Sequence, residues 1–480
     1  MSLSFNEFNL SEDILYTVSK LGFKNPTEVQ KCTIPKIIAK EDVIVKSQTG
    51  SGKTASFAIP ICEVLDWQDN KPQALVLVPT RELALQVKDE IFNIGRQKRV
   101  KVVPVFGKTS MKNQIRDLKQ KCHIVVGTPG RVIDHINGGN LDLSNVKYFV
   151  LDEADEMLNM GFVSQIEEVI EKLPKNIVTA LFSATMPQKI EELAQNYMNN
   201  PQVIDIESEN SLENRIIEEK YFVEEDEKFD LLCDVTTLEN PDSCIIFCNT
   251  KQQVDDVDHF LYRNSYKCDK LHGGMEQSDR TAVMKEFKHG DFRYLIATDV
   301  AGRGIDVDDI SLVINFDVPK EKEAYVHRIG RTARKDKKGK AISFVGGNEE
   351  YKFNEIEEFL GRNIIEKSFP DKELIEQNRN AFEKKMDTKI IKKFSKAKAV
   401  NQGILKLHIN AGKKQKMRPV DIVGTLCSID GISAEDIGII SVIDISTFFE
   451  ILNGKGEMVL KILQNMPIKG RLRKVNIARS

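Results

Sequence analysis

The stretch that indicates the fold most directly is Val43-Ile44-Val45-Lys46-Ser47-Gln48-Thr49-Gly50-Ser51-Gly52-Lys53-Thr54. A short apolar run, typical of a buried strand, leads into glycines and then into a helical pattern. The glycines allow backbone N–H groups to surround phosphate oxygens, and the helix directs its positive end at the same anion. We expect Lys53 to neutralise nucleotide phosphates and Thr54 to place its hydroxyl on magnesium. The general pattern has glycine where Ser47 stands, so the match is incomplete.

Similar apolar runs recur along the chain, each followed by a polar turn and a helix-like segment. They cover residues 74–78, 124–126, 148–151, 180–182, 245–247, 294–297 and 312–314. This alternation predicts parallel sheets covered by helices on both faces, and hence two α/β domains. Ligands are expected at the C-terminal ends of their strands.

The domain organisation follows from these patterns. We expect one α/β domain in residues 1–207 and a second in 208–365, with the polar segment 205–220 as the hinge. A basic, charged helical linker is predicted for residues 366–400. A third unit, 401–480, alternates as strand, helix, two strands, helix and strand, which predicts a small α+β domain of the RRM-like type.

The composition is that of a globular protein, with 41% apolar and 29% charged residues and a formal net charge of −3. The charge is uneven, because residues 401–480 hold twelve Lys and Arg against seven Asp and Glu. Residues 381–400 hold seven Lys against two acidic residues. A local excess of this kind is typical of a polyanion-binding module, although a solvated helix face explains 381–400 equally well.

We expect no membrane association, because no stretch of about 18 apolar residues exists and the start of the chain does not resemble a signal peptide. The eight cysteines are scattered without a CxxC pair, which favours a reducing, cytoplasmic location. Cys244 and Cys248 would face the same side of a predicted strand, so a packed core is favoured over a metal site.

An acidic group, Asp152-Glu153-Ala154-Asp155, follows the predicted strand 148–151. We expect this strand to neighbour the phosphate-loop strand. Asp152 would then hold magnesium, directly or through water, and Glu153 would polarise the attacking water. Taken alone, these residues could merely cap a helix and complement its dipole. The phosphate loop upstream favours the catalytic interpretation.

With these motifs the chain resembles the DEAD-box RNA helicases of superfamily two, over about residues 5 to 345. The resemblance implies two tandem RecA-like domains that bind ATP and Mg²⁺ and act on RNA. Residues 22–30, with Phe5, resemble the adenine-recognising Q motif. There Gln30 would bond both edges of adenine and Phe23 would offer a stacking face. The implied ATP-binding residues are Phe23, Gln30, Ser47, Gln48, Thr49, Gly50, Ser51, Gly52, Lys53, Thr54 and Asp306.

The same resemblance assigns roles to residues on both domains. The implied RNA-backbone contacts of the helicase core are Pro79, Thr80, Arg81, Thr128, Gly130, Arg131, Thr298 and Gly302. The residues implied to couple hydrolysis to strand separation are Ser183, Thr185, Asp155 and His327. Arg331 and Arg334 would reach across the cleft to the γ-phosphate. Because Lys53 and Glu153 lie on one domain and these arginines on the other, ATP and RNA together are expected to close the cleft.

Two departures from the family pattern stand out. The family often has a second glycine where this chain has Lys108, which could alter how that loop contacts RNA. Most members have glycine where Ala333 stands. We expect the extra methyl group to be tolerated, because both flanking arginines remain.

The C-terminal unit resembles the tail of the DbpA-type bacterial helicases over about residues 402 to 477. That resemblance implies anchoring on a hairpin of 23S ribosomal RNA and a role in assembly of the large ribosomal subunit. The RNA contacts are predicted on basic turns, at Lys413, Lys414, Lys416, Arg418, Lys469 and Arg471. Phe448 could stack on a base, but a core role for it is equally consistent with the sequence.

Alternatives remain open at the level of the sequence. The same motifs would serve an ATP-gated RNA clamp or a general RNA chaperone without 23S specificity. A DNA helicase is disfavoured, because the Q motif and the Asp-Glu-Ala-Asp group resemble those of RNA-specific relatives. A monomer is the default expectation.

Overall fold

A computed structural model describes residues 4–47, 50–206, 215–299, 310–333, 338–388 and 400–478. The first domain is a seven-stranded parallel sheet of order β3-β4-β2-β5-β6-β1-β7. Its strands are β1 (Val43–Lys46), β2 (Ala74–Leu77), β3 (Val102–Val105), β4 (Ile124–Gly127), β5 (Tyr148–Leu151), β6 (Val178–Ser183) and β7 (Gln202–Asp205). Its helices are α1 (Glu12–Lys20), α2 (Glu28–Ile38), α3 (Lys53–Val64), α4 (Arg81–Ile94), α5 (Met111–Leu118), α6 (Pro129–Asn137), α7 (Ala154–Asn159), α8 (Val163–Ile170) and α9 (Gln188–Tyr197).

Strand β1 shows why this sheet is covered on both faces. Val43 and Val45 pack into one apolar cluster, whereas Ile44 between them packs into a second cluster on the other face. Both faces of a parallel strand need apolar side chains, because helices lie on each side. The prediction of a doubly covered parallel sheet is confirmed.

The predicted adjacency of the Asp152 strand to the phosphate-loop strand is wrong. Strand β6 lies between β1 and β5 and pairs with both of them. Apolar runs show which segments form strands, but the order of the strands depends on crossovers that leave no local pattern. Asp152 and Lys53 nevertheless reach the same edge, because the C-terminal ends of all these parallel strands lie there.

The second domain repeats this architecture, with a parallel sheet of order β10-β11-β9-β12-β13-β8-β14. Its strands are β8 (Ile216–Phe222), β9 (Cys244–Cys248), β10 (Cys268–Leu271), β11 (Tyr294–Thr298), β12 (Leu312–Asn315), β13 (Gly339–Val345) and β14 (Ile365–Glu366). Its helices are α10 (Lys228–Glu239), α11 (Lys251–Arg263), α12 (Gln277–His289), α13 (Lys322–Ile329), α14 (Glu350–Leu360) and α15 (Lys372–Asp387). Cys244 and Cys248 are both buried in one apolar cluster, as predicted.

The structure corrects the predicted hinge and refines the predicted linker. Strand β8 begins at Ile216 and pairs with β13, so residues 216–220 belong to the second sheet, and residues 207–214 of the hinge lie outside the described chain. Helix α15 packs on α10 and inserts Phe382 and Met386 into the second domain's core. That part of the predicted linker therefore packs on the second domain as part of it. The exact domain boundaries stay a prediction.

The third domain has the predicted β-α-β-β-α-β order, with an antiparallel sheet of order β16-β17-β15-β18. Its elements are β15 (Leu405–Ile409), α16 (Pro419–Cys427), β16 (Ile437–Val442), β17 (Thr447–Ile451), α17 (Gly456–Leu463) and β18 (Val475–Ile477). The inner sheet face and both helices share one apolar core, which includes Leu407, Phe449 and Val459. Within the described ranges, no helix has the length and apolar character to cross a membrane.

Candidate ATP and RNA sites

The phosphate loop follows β1 and ends where α3 begins at Lys53. Gly50 and Gly52 have φ angles of 82° and 90°, a left-handed conformation that glycine adopts without strain. The Lys53 amine is buried and donates to the Ser47 carbonyl at 2.9 Å, so it lies inside the loop that it is predicted to serve. Gln48 and Thr49, also predicted to bind ATP, lie outside the described residues.

The Q-motif residues brace this loop. The Gln30 side chain accepts from the Thr27 backbone at 3.0 Å, and its amide donates to the Gly52 carbonyl at 3.3 Å. A Cβ atom on Gly52 would lie 2.6 Å from Gln30 Nε2, so this contact requires glycine. Phe23 packs beside Phe5, with ring centroids 6.3 Å apart. The Q motif and the phosphate loop therefore form one unit.

Asp152 and Glu153 lie at the C-terminal end of β5. Asp152 is buried, and this burial raises the pKa of its carboxyl to about 7 despite the nearby Lys53 charge. Glu153 has a φ of 54°, a left-handed conformation that non-glycine residues rarely adopt and that recurs at functional sites. The Asp152 carboxylate suits Mg²⁺, because a bound cation would stabilise the charged form that burial disfavours, and Thr54 lies in the first turn of α3.

Asp155 holds the Ser183–Thr185 segment. Its Oδ2 accepts from the backbone of Ala184 at 3.1 Å, and from the backbone and hydroxyl of Thr185 at 2.8 and 2.9 Å. The Asp155 backbone N–H donates to the Ser183 hydroxyl at 3.2 Å. Three of the four predicted coupling residues thus meet at Asp155, Thr185 at its carboxylate and Ser183 at its backbone N–H.

His327, the fourth coupling residue, reaches this cluster from the second domain. Its Nδ1 contacts Glu156 Oε1, and its Nε2 lies 4.0 Å from Asp155 Oδ2. Burial lowers the pKa of His327, but the hydrogen bond and charge of Glu156 outweigh burial and hold that pKa above its ordinary value. His327 therefore links the two domains, and the surrounding carboxylates favour the charged form of its ring. The sequence interpretation missed Glu156, whose role depends on this contact between domains.

The second domain's arginines have distinct environments. Arg331 is buried, and its Nε donates to the His327 carbonyl at 3.1 Å. Arg328, to which the sequence interpretation gave no role, pairs with Asp299 and also donates to Asn249 at 3.0 Å. It thereby joins helix α13 to the C-terminal ends of β9 and β11. The predicted contacts Arg334, Asp306 and Gly302 lie outside the described residues.

Residues predicted to contact RNA from the first domain also meet the second domain. Arg81 donates to Gln277 Oε1 at 3.0 Å. Glu82 Oε1 accepts from Gln277 at 3.1 Å and pairs with Arg280 at 3.0 Å. Thr80 caps α4 by accepting from the Leu83 backbone at 3.2 Å. The start of α4 is therefore part of the contact across the cleft, which no local pattern indicated.

A second RNA-motif group surrounds Gln114. Its side chain accepts from Arg131 at 3.2 Å and hydrogen-bonds to His135, and it donates to the Phe106 carbonyl at 2.9 Å. Arg131 also donates to the Thr109 carbonyl, so it shapes the loop around residue 108. The remaining predicted positions lie at strand or helix ends on the same edge of their sheets: Pro79, Thr128, Gly130 and Thr298.

The two departures from the family pattern share one backbone property. Lys108 has a φ of 55° and Ala333 a φ of 56°, both in the left-handed region. Glycine occupies this region without the steric cost that a Cβ atom adds, so glycine would fit both positions without strain. The Lys108 amine reaches the Gly273 carbonyl of the second domain at 3.5 Å.

The two basic turns of the third domain form one surface. The Lys469 amine pairs with Asp421 at 2.7 Å and also donates to the Lys416 carbonyl. The other predicted RNA contacts are exposed on these turns: Lys413, Lys414, Lys416, Arg418 and Arg471. Gly412, at the start of the first basic turn, packs closely against the β16–β17 connection, since a Cβ atom there would lie 2.0 Å from the Ile443 carbonyl. Residues far apart in the sequence are thereby joined into a single cationic surface.

Comparison with known proteins agrees with this geometry. Three family models match the chain: DEAD/DEAH box helicase at residues 27–193, helicase conserved C-terminal domain at 227–336, and DbpA RNA binding domain at 406–477. The chain is 53% identical to the ATP-dependent RNA helicase DbpA of Bacillus subtilis over 99% of both chains. It is 41% identical to the DEAD-box ATP-dependent RNA helicase CshA of Geobacillus kaustophilus, covering 84% of this chain and 87% of that one.

Solved structures give the same result for the two larger domains. The fold is similar to that of S. cerevisiae Dbp5 bound to RNA and ADP BeF3, with a TM-score of 0.71 and 30% identity over 80% of this chain and 100% of that one. It is also similar to Mss116p bound to ssRNA and AMP-PNP, with a TM-score of 0.70 and 30% identity over 81% of this chain and 83% of that one.

Proposed function

Because the chain belongs to the DEAD-box ATP-dependent RNA helicases, we propose that it remodels 23S ribosomal RNA during assembly of the large ribosomal subunit. It is an enzyme that hydrolyses ATP and acts on RNA, and it carries a DbpA RNA-binding domain. The observation that carries the proposal is the joined pair of basic turns, which lies within that domain. The protein would act in the cytoplasm and as a monomer.

The proposed ATP chemistry divides between the two large domains. Lys53 binds the phosphates, and Glu153 orients the attacking water. A bound Mg²⁺ would be held by Asp152 and Thr54 and would neutralise phosphate charge. Arg331 and Arg334 complete the site from the second domain. Gln30 and Phe23 recognise the adenine ring, which makes ATP the preferred nucleotide.

The proposed coupling runs through the cluster at Asp155. Thr185 bonds to this carboxylate from the first domain, and His327 approaches it from the second. ATP and RNA both bind better when the domains are in contact, so each ligand raises the affinity for the other. One RNA strand held in this state is bent away from duplex geometry, and hydrolysis then releases it.

The experiment that tests this proposal measures ATP hydrolysis with three added nucleic acids. They are a 23S fragment with the peptidyl-transferase hairpin, an unrelated structured RNA of equal length, and single-stranded DNA. The full chain is compared with a Lys413→Ala/Lys414→Ala variant, and Lys461→Ala is the matched control. Lys461 is an exposed lysine of α17, outside the two basic turns.

We expect strong stimulation by the 23S fragment, its loss in the double variant, and no loss in Lys461→Ala. Equal stimulation by both RNAs would refute the 23S assignment and favour a general RNA chaperone. Stimulation by DNA as strong as that by RNA would refute the RNA substrate class. Strand separation of an RNA duplex is measured alongside. Stimulated ATP hydrolysis without strand separation would favour an ATP-gated clamp.

A further inference from the structure

One buried side chain links two of the first domain's segments that are expected to meet RNA. Gln114 lies on α5 and is 7% exposed. One of the two segments is the loop 106–109, which follows β3 and holds the family departure at Lys108. The other is the start of α6, where Arg131 lies. Helix α5 holds none of the RNA contacts predicted from the sequence, so this link became visible only in the structure.

The amide nitrogen of Gln114 holds the loop at both ends. Its Nε2 donates to the Phe106 carbonyl at 2.9 Å and to the Thr109 hydroxyl at 2.6 Å. The Thr109 hydroxyl in turn donates to the Phe106 carbonyl at 3.0 Å. These three bonds surround the two residues between the loop ends, Gly107 and Lys108. The left-handed backbone at Lys108, with a φ of 55°, is therefore held from both sides.

The amide oxygen of Gln114 holds Arg131. Its Oε1 accepts from Arg131 Nη1 at 3.2 Å, and the same nitrogen donates to the Thr109 carbonyl at 3.2 Å. The Arg131 side chain is 14% exposed, and its Nε lies 3.2 Å from Asp134 on the same helix. The guanidinium is thus bonded to α5, to the loop and to α6. Gln114 and Arg131 together make the loop and the start of α6 one unit.

The neighbouring groups allow one orientation of the Gln114 amide. Arg131 can only donate and the Phe106 carbonyl can only accept, so the amide oxygen faces Arg131. His135 Nε2 lies 2.8 Å from the same oxygen, so it carries a hydrogen and donates. Burial, and then the charge of Arg131, lower the pKa of His135, which favours the neutral ring. A neutral imidazole donates from one nitrogen only, and this one is used on Gln114.

These contacts use the whole hydrogen-bonding capacity of a glutamine. A terminal amide has two N–H donors and two acceptor lone pairs, and all four are used on protein groups. Glutamate would place a carboxylate oxygen against the Phe106 carbonyl. Methionine would leave Arg131 and His135 without their shared acceptor, and buried polar groups without partners are costly.

We propose that Gln114 is a positioning residue of the core RNA site, which raises RNA affinity without touching RNA. It holds the loop 106–109 and Arg131 in the arrangement that an RNA strand meets. Segments that are ordered in advance lose less conformational entropy when the ligand binds, so affinity rises. The inference concerns the core RNA site, and it does not depend on specificity for 23S RNA.

The test replaces Gln114 with methionine, which has a similar length and no amide. ATP hydrolysis is titrated with whichever RNA stimulates the unmodified chain more strongly, the 23S fragment or the unrelated structured RNA. We expect Gln114→Met to raise the RNA concentration for half-maximal hydrolysis about tenfold, because a hydrogen bond to a charged group is lost. The rate at saturating RNA and the affinity for an ATP analogue without RNA should stay unchanged.

Two further variants serve as control and as a milder test. Asn113→Met replaces an exposed amide on the same helix and should leave the RNA requirement unchanged. Thr109→Val removes the hydroxyl that joins Gln114 to the loop and keeps the carbonyl that accepts from Arg131. We expect Thr109→Val to raise the RNA requirement about threefold, because one hydrogen bond between neutral groups is lost.

A double variant shows whether Gln114 acts through Arg131. Arg131→Ala is compared with Gln114→Met/Arg131→Ala in the same titration. If Gln114 works by holding Arg131, its replacement should add little once that side chain is removed. The double variant should therefore need far less RNA than the product of the two single effects.

An unchanged RNA requirement in both Gln114→Met and Thr109→Val would overturn the inference, as would single effects that multiply in the double variant. A lower melting temperature and a lower rate at saturating RNA, with the RNA requirement unchanged, would assign Gln114 a purely structural role. If Gln114→Met does not fold, Thr109→Val decides the question. Equal stimulation of the unmodified chain by both RNAs would refute the 23S assignment alone, because the test then proceeds with either RNA.

Discussion

The contact between Glu82 and Arg280 offers the sharpest test of how the two large domains close. Their side chains are 9% and 7% exposed, and Glu82 also accepts from Gln277. Burial lowers the pKa of Arg81. The charge of Glu82 raises this pKa and that of Arg280 lowers it, and the result lies below the ordinary value. Glu82 thus pairs with the buried guanidinium of Arg280 and lies near the half-buried Arg81. Its removal leaves both without a neutralising charge whenever the domains meet.

Removing one partner of a buried ion pair costs about 3–5 kcal/mol when the remaining charge stays buried. Opening the cleft returns that charge to water. The lost free energy therefore appears as a lower equilibrium constant for closure of the two domains. A shift of about 3 kcal/mol corresponds to roughly a hundredfold. We expect Glu82→Gln to raise the RNA concentration for half-maximal ATP hydrolysis by about that factor, and Arg280→Ala by less, because it leaves a single guanidinium.

The assay is RNA-stimulated ATP hydrolysis for both single variants, the double variant and Arg263→Ala. Arg263 is an exposed arginine of the same domain and serves as the control. The double variant should lose less than the sum of the single losses, because each change removes the same interaction. Additive losses, or unchanged RNA dependence in Glu82→Gln, would refute the reasoning.

Three further predictions follow from single contacts. Because the pKa of His327 lies above its ordinary 6.5, the contact between domains is strongest while the ring is protonated and weakens as pH rises through that raised pKa. RNA-stimulated hydrolysis should therefore need more RNA at higher pH, and His327→Gln should flatten this profile. Ala333→Gly should relieve the strain of a φ of 56° and raise stability by about 1 kcal/mol, measured by thermal unfolding; a lower melting temperature would contradict it. Lys469→Ala should weaken RNA binding and lower the salt dependence by about one phosphate contact, measured by titration at several salt concentrations. An unchanged salt slope would exclude Lys469 from the RNA surface.

Much of the fold could be predicted because its signals are local. Each apolar run that was assigned to a strand forms one, since a strand buried on both faces needs consecutive apolar residues. The strands that were missed include β8 and β10, where consecutive charged residues interrupt the apolar ones. In β8, the buried Glu218 pairs with Arg362, and the buried Lys220 pairs with Glu357 of α14. Such pairing depends on residues far away in the sequence.

The candidate site divides in the same way. The phosphate loop, the Asp-Glu-Ala-Asp group and the C-terminal basic turns are short motifs whose chemistry follows from residue type and spacing, so the sequence alone determined them and the family. Tertiary structure alone decided that β6 separates β1 from β5, that Glu156 meets His327, and that Gln114 joins Arg131 to the loop 106–109. Local patterns record backbone period and residue chemistry. Contacts between distant segments depend instead on how whole domains pack, and no short stretch of the chain contains that information.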